Sequence, residues 1–436
     1  MQFKLGSNDW ARIKLSPDGA HLLGHWRQGD TICRILDGHA LPPAVWLKGH
    51  RPEAFEAEAL NRVCWLEHSG RQVSVVLTDL QHEQRLGPFD DVSLGSDCFS
   101  TDGQHFTFAF ERAGSWWVWF DGRELGPYST ARKPALYGTT LVFPAFRDQR
   151  HTIWIGDQEY DCEHAFSPRV ATDGCFAFGF TKGGEDFIQH GLVVLGPFGD
   201  RLNFQIGRSG RIAIEHQVDG KTCVELDGMR VWEVSAGHVV SLEPCFSPDA
   251  KRFGFAYQDG RYAGFYVDGV RRDDLGYADG PWWSHDSQHL AWGADDDRGL
   301  IVINGQEREL ASRIDFEQGS SFRFAPDGRF CFVTRDDTSG KQILCIGDEQ
   351  FGPFSIECSA RRSAYEQVAF SADGAHFAFM IRAEERRVIV QRDHQKFGPF
   401  GSGSQFSMNS DGLLNIATFD PISLEVQLET HPLASD

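Results

Sequence analysis

Arg85 to Phe110 reads "RLGPFDDVSLGSDCFSTDGQHFTFAF", and both halves of this stretch return along the chain. The opening Leu-Gly-Pro-Phe recurs at Leu125 to Tyr128, Leu195 to Phe198, Phe351 to Phe354 and Phe397 to Phe400. The second half, "FSTDGQHFTFAF" from Phe99, is echoed by "LSPDGAHLL" from Leu15, "FSPDAKRFGFAY" from Phe246, "WSHDSQHLAWGA" from Trp283, "FAPDGRFCFV" from Phe324 and "FSADGAHFAFMI" from Phe370. Fainter copies are "VATDGCFAFGF" from Val170 and "MNSDGLLNI" from Met408. Three segments keep the pattern without the full signature: "WLEHSGRQVSVVL" from Trp65, "LYGTTLVFPAF" from Leu136 and "IGRSGRIAIEH" from Ile206. That makes eleven units, most of them about 32 to 46 residues apart. The longer first interval contains "GHRPEAFEAEAL", Gly49 to Leu60, which reads as a helical turn or two.

Each unit has one grammar. A short apolar segment ends in Phe-Ser or its equivalent, and a turn with Asp-Gly follows. Glycine takes positive φ there at no steric cost, and Asp bonds its own backbone. Alternation such as Phe106, Phe108 and Phe110 then marks a strand. A variable loop leads to a third strand, for example "WWVWF" from Trp116, then to Asp121 and Gly122 and the closing "RELGPY". Four short strands in about 40 residues is the size of a propeller blade. The expected fold is therefore all-β: a β-propeller array over residues 1–436, built from about eleven four-stranded units. One wide ring and two rings, split near residue 205, both remain open. "MQFKLG", Met1 to Gly6, reads as a fourth strand for the last unit, whose third strand is "LEVQLE" from Leu424. Leu-Gly-Pro-Phe is expected to close the outermost strand, an edge where a proline lacking an N–H is tolerated and further pairing is discouraged.

The Ser-Pro-Asp-Gly marker resembles the TolB-type β-propeller repeat, a relative of WD repeats. The matches are Ser16 to Gly19, Ser100 to Gly103, Ser247 to Ala250, Ala325 to Gly328 and Ser371 to Gly374. The resemblance implies architecture and is nearly silent about activity. Propellers of this kind also occur joined to serine peptidase domains, but no Gly-x-Ser-x-Gly elbow is present.

The net charge of −20 repels phosphate backbones and anionic lipid, which argues against nucleic acid and membrane as partners. "MQFKLGSNDW" lacks the apolar core of a signal peptide, and no Cys-x-x-Cys pair occurs among the ten cysteines. These features predict a cytoplasmic protein with reduced thiols.

Chemical candidates each meet a plainer explanation. His285 and His289 in "HDSQH" have a spacing found in zinc sites, yet His289 fills a repeat slot held elsewhere by His21, His105, His376 and Arg252. "GKT" at Gly220 to Thr222 lacks the glycine a phosphate loop needs, since Glu215 stands there. Cys64, Cys98 and Cys245 read as one packing slot before the aromatic that ends a first strand. Trp116, Trp117, Trp119, Trp282 and Trp283 read as sheet packing.

Variable loops between second and third strands are the expected place for function. In consecutive units they read "ADDDRG" and "RDDTSG", which puts Asp295, Asp296, Asp297, Asp336 and Asp337 on neighbouring blades as an acidic binding patch for a basic protein or for Ca²⁺. "IRAEERR", Ile381 to Arg387, supplies a mixed-charge loop, and "FRDQR", Phe146 to Arg150, a basic one. The favoured expectation is a non-catalytic scaffold for protein–protein interaction. The alternative is an enzyme acting on a glycan or small molecule in the central channel, with carboxylates drawn from different blades.

Overall fold

The structure, a computed structural model, describes residues 2–432 apart from 6–10, 16–20, 29–30, 46–54, 57–61, 79–81, 200–201, 236–238, 242–245, 260–261, 296–298, 311–313, 315–321, 337–338, 340, 357–367, 383–386, 402–403, 420–424 and the single residues 96, 101, 132 and 410. Its described part is built from antiparallel sheets in which chain neighbours pair in order. Blade 3 shows the plan, with strands Asp91–Ser93, Thr107–Arg112, Ser115–Phe120 and Arg123–Tyr128. Ten such blades follow one another along the chain. The eleventh combines Gln405–Met408, Leu414–Phe419 and Glu425–His431 with Gln2–Lys4. Phe3 pairs with Val426, so the N-terminal strand completes the last blade as the sequence predicted.

The core lies between blades. Second strands carry large side chains on one face and small ones on the other. Phe106, Phe108 and Phe110 pack against Val75, Leu77 and Phe89 of blade 2, while Ala109 on the opposite face meets Leu136 and Phe143 of blade 4. Blade 5 repeats this: Phe178 and Phe180 face blade 4, and Ala177 faces blade 6. Blade 10 does the same with Phe377 and Phe379 against blade 9 and Ala378 against blade 11. Burial of such aromatics removes most apolar surface from water and dominates the stability of the array. Contacts pass from blade to blade, continue across residue 205 through Leu195, Phe198 and Phe204, and return from blade 11 to blade 1 through Val426, Ala417 and Ile13. The eleven blades form a ring.

Leu-Gly-Pro-Phe closes the outermost strands Glu83–Phe89, Arg123–Tyr128 and Val193–Phe198, as the sequence predicted, and adds a bulge. Pairing with the third strand continues through the motif: Val75 pairs with Leu86, and Val73 then pairs with Phe89, leaving one extra residue on the outer strand. The same bulge recurs at Tyr128, Phe198, Phe354 and Phe400. Residues three apart in a strand face opposite sides, and a bulge returns both to one side. Leu86 and Phe89 therefore reach the same core, where Phe89 lies 4.2 Å from the Phe110 ring centroid. Gly87 sits at φ 113 within the bulge, and the five Gly–Pro peptides of the motif are cis. In blade 9 the strand runs on to Ile356 and pairs with blade 10.

Two local readings are corrected. "WLEHSGRQ" is not a first turn, because Val63–Ser69 is the second strand of blade 2 and Ser69, Gly70 and Arg71 lead to its third. A Ser-Gly-Arg turn imitates the repeat marker one strand late. Cys64 consequently lies inside a second strand rather than in the slot of Cys98; the two pack together, and burial pushes the Cys64 thiol up. Cys245 lies outside the described residues. Within "GHRPEAFEAEAL", Phe55–Glu56 is a strand paired with Cys64 and Val63, not a helical turn, since the interval must supply the missing first strand.

Candidate functional site

A meander of four strands places its first and third turns at one end and its second turn at the other. The ring thus has a turn face and an opposite connection face, where second turns and blade-to-blade links emerge. On the turn face, among the described residues, blades 3, 7, 8 and 10 carry the same bonded cassette, and blades 1 and 6 carry its side-chain pair. In blade 3, Ser100 Oγ donates to Asp102 Oδ1 at 2.5 Å and accepts the His105 N–H at 2.9 Å. Asp121 Oδ1 accepts the Phe106 N–H, and its Oδ2 lies 2.6 Å from His105 Nδ1. The pairing recurs as His21 with Asp37, Arg211 with Asp227, Arg252 with Asp268, His289 with Asn304 and His376 with Asp393. The serine hydroxyls hold Asp102, Asp286 and Asp373 below the usual carboxylate range and Asp249 at about 2. Arginines in the His105 slot also reach the next blade, Arg62 to the Gly103 carbonyl and Arg329 to that of Gly374.

Blades 4 and 5 have lost the cassette. Thr140 and Cys175 stand in the His/Arg slot, and Gly156 and Gly191 replace the turn aspartate, as their N–H bonds to Leu141 and Phe176 show. A hollow of about 390 Å³ opens between these blades, lined by Thr140, Gly156, Tyr160, Gly174, Phe176 and Gly191, with Asp157 and Leu192 also in its wall. A Cβ on Gly174 or Gly191 would meet nothing within 4 Å, and one on Gly156 only the Thr140 methyl at 4.0 Å. At Gly347 of blade 9, by contrast, a Cβ would sit 3.2 Å from Arg329. Missing side chains, not displaced strands, make the hollow.

The rim beside it is apolar. Among the described residues seven large hydrophobic side chains are exposed, and five are Leu192, Val193, Val194, Met229 and Val270, in or after the third turns of blades 5, 6 and 7. Leu192 is 89% exposed, Met229 70% and Val270 72%. The position of Val193, Met229 and Val270 carries His39, Arg123, Gln158, Gln306, Glu349 and Gln395 in other blades. Solvated hairpins ordinarily resemble the latter, so a run of apolar tips on consecutive blades points to contact.

The electrostatics around the hollow are mildly acidic. Asp173 accepts the Ser209 and Cys175 N–H groups at 2.5 and 3.1 Å, which holds its carboxyl low. Asp157 is exposed and 3.1 Å from Arg123. Burial lowers the pKa of His190 beside Gly191 and raises that of the Cys175 thiol.

The sequence-predicted residues lie elsewhere. Asp296, Asp297 and Asp337 are outside the described residues. Asp295 ends the second strand of blade 8, and Asp336 closes its own turn by accepting the Ser339 N–H at 2.6 Å; both are on the connection face. His289 Nδ1 is 2.9 Å from Asn304 Nδ2 and its ring stacks on Phe324, so it serves the blade joint. Both arginines of "FRDQR" pair within their own blade, Arg147 with Glu159 and Arg150 with Asp161. Trp116 and Trp119 are buried in interblade cores. "GKT" runs from a turn into the strand Lys221–Leu226. Sequence reasoning missed the hollow and the apolar rim; the signal was there in the faint repeat copies from Leu136 and Val170.

Asp279, in the first strand of blade 8, was also missed; burial raises its carboxyl pKa. No described helix is long and apolar enough to cross a membrane.

No family profile and no curated protein matches the chain. Among solved structures, a chain of the mitotic checkpoint complex is 14% identical, covering 56% of this chain and 83% of that one, with a TM-score of 0.26. The β-propeller domain of Cps50 (Swd1) from Myceliophteria thermophila is 10% identical over 98% of this chain and 97% of that one, with a TM-score of 0.24. The fold assignment rests on the strand topology.

Proposed function

We propose that the protein is a non-catalytic β-propeller scaffold that holds a partner protein on the turn face of the ring. The observation that carries this reading is the apolar run of Leu192, Val193, Met229 and Val270 on three consecutive blades, where other blades present polar side chains. Rigid strands fix the ends of each hairpin, and the exposed tips supply apolar area for association. The Ser100–Asp102 bond in the first turn supports a TolB-type lineage for the repeat. Eight described cysteines without a disulfide favour the cytoplasm.

A photo-crosslinking amino acid placed at Met229, with matched controls at Glu349 on the same face and Asp336 on the other, tests the proposal in cells. Adducts of defined mass are expected from position 229 alone. Adducts from 336 alone would move the interaction to the acidic loops, and equal yields from all three positions would remove the face assignment.

A further inference from the structure

We propose that the hollow between blades 4 and 5 receives one apolar side chain of an extended segment of the partner, flanked in that segment by lysine or arginine. The inference rests on the scaffold reading above and adds the chemistry of the occupant. Three observations carry it. First, the space comes from substitution of the bonded cassette of blade 4 by Thr140 and Gly156, in a ring whose core is otherwise unbroken between these blades. At about 390 Å³ the volume is at the lower end of the roughly 300 to 1,000 Å³ range of ligand pockets, ample for an aromatic or leucine side chain. Second, the hollow shares Leu192 with the exposed apolar row, so a segment anchored there continues over Val193 toward Met229 rather than ending at the rim. Tyr160 and Phe176, with ring centroids 5.7 Å apart, offer aromatic faces to the anchor.

Third, charge selects the flanks. Asp173, beside Gly174, has its carboxyl on the N–H groups of Ser209 and Cys175, and those bonds keep it ionised without cancelling its charge. Asp157 pairs with Arg123, but both are exposed, and such a pair is worth little, so an incoming cation exchanges with Arg123 readily. The net charge of −20 steers a cationic segment toward the ring. A polypeptide fits better than a free small molecule because the apolar surface extends across three blades.

The experiment uses the full chain and three blocked tripeptide amides, Lys-Trp-Lys, Glu-Trp-Glu and Lys-Gly-Lys, with binding read by calorimetry and ligand-observed NMR. Lys-Trp-Lys is expected to bind saturably at millimolar or better concentration, at least about tenfold tighter than either comparison peptide. Restoring the cassette of blade 4 with Thr140→His and Gly156→Asp fills the hollow with a pair that other blades already accommodate; it should weaken Lys-Trp-Lys at least about tenfold without lowering the melting temperature. Asp173→Asn should weaken it about threefold and flatten its salt dependence. Equal binding of Lys-Trp-Lys and Lys-Gly-Lys, unaltered binding to the refilled variant, or no saturation below about 5 mM overturns the proposal. Crosslinks from position 229 that persist in the refilled variant leave the scaffold reading standing while the hollow fails; their loss from the unmodified background removes both.

Discussion

Blades 3 and 5 share a second strand of the same design and differ at one end. Phe106, Phe108 and Phe110 match Phe176, Phe178 and Phe180, and each set packs on the preceding blade. Phe106 is fully buried at a seam where Arg62 of blade 2 reaches the Gly103 carbonyl, whereas Phe176 is half-buried at the wall of the hollow, where Thr140 and Gly156 of blade 4 stand in the corresponding slots. The difference shows that the interblade core and the turn-face cassette are separable. Aromatic burial along the strands holds the ring, so the turn end of a blade is free to lose its side chains and open a cavity.

Substitutions can break or sharpen this contrast. The largest effect is expected from Phe106→Ala, which leaves a cavity in a closed core and should cost about 3–5 kcal/mol by urea unfolding. Phe176→Ala, already beside open space, should cost only about 1–2 kcal/mol; equal losses would mean that the two blades are closed alike. Next comes the cassette. Asp121→Ala removes the acceptor of the Phe106 N–H and the partner of His105, and should lower stability by about 1–2 kcal/mol, the exposed part of the ion pair adding little. Thr140→His with Gly156→Asp should run the comparison backwards and raise stability by about 1 kcal/mol, because Gly156 at φ 61 has a backbone close to that of Asp121 at φ 45. A fall in melting temperature would show that blade 4 differs in more than its side chains.

The third effect depends on pH. Burial lowers the folded-state pKa of His190, so the unfolded chain takes up a proton there first. Its contribution is complete above the ordinary histidine pKa of about 6.5 and is lost as pH falls through the lowered value. His190→Gln should therefore reduce the drop in melting temperature between pH 7 and pH 5; an unchanged profile would place that ring in water. The smallest effect is expected from Val193→Thr and Met229→Gln, which should leave stability within about 0.5 kcal/mol while reducing partner crosslinking. A large loss of stability would mean that these tips pack within the ring.

Much of the architecture was readable in order along the chain. Period-two aromatics, the Asp-Gly turns and the fourth-strand character of Met1 to Gly6 each reflect local backbone preference, and all three reappear in the blades. Reading failed where one turn imitated another, at Ser69 to Arg71, since a Ser-Gly step suits any hairpin. It placed the Gly-Pro motif rightly at the end of the outer strand, but only register across two strands shows that it is a bulge aiming Phe89 inward.

For the candidate site the balance reverses. Sequence pointed to aspartates of the second turns because charge is visible residue by residue. A hollow made by Thr140, Gly156 and Gly191 is a set of absences, meaningful only beside the His105 and Asp121 of other blades. The repeat, the strand count and the alternation of large and small faces follow from the sequence alone, because each unit writes its own backbone and burial pattern. Which blades meet, where the ring closes and which turn end stands open depend on the packing of residues from different units, and only the tertiary structure decides these.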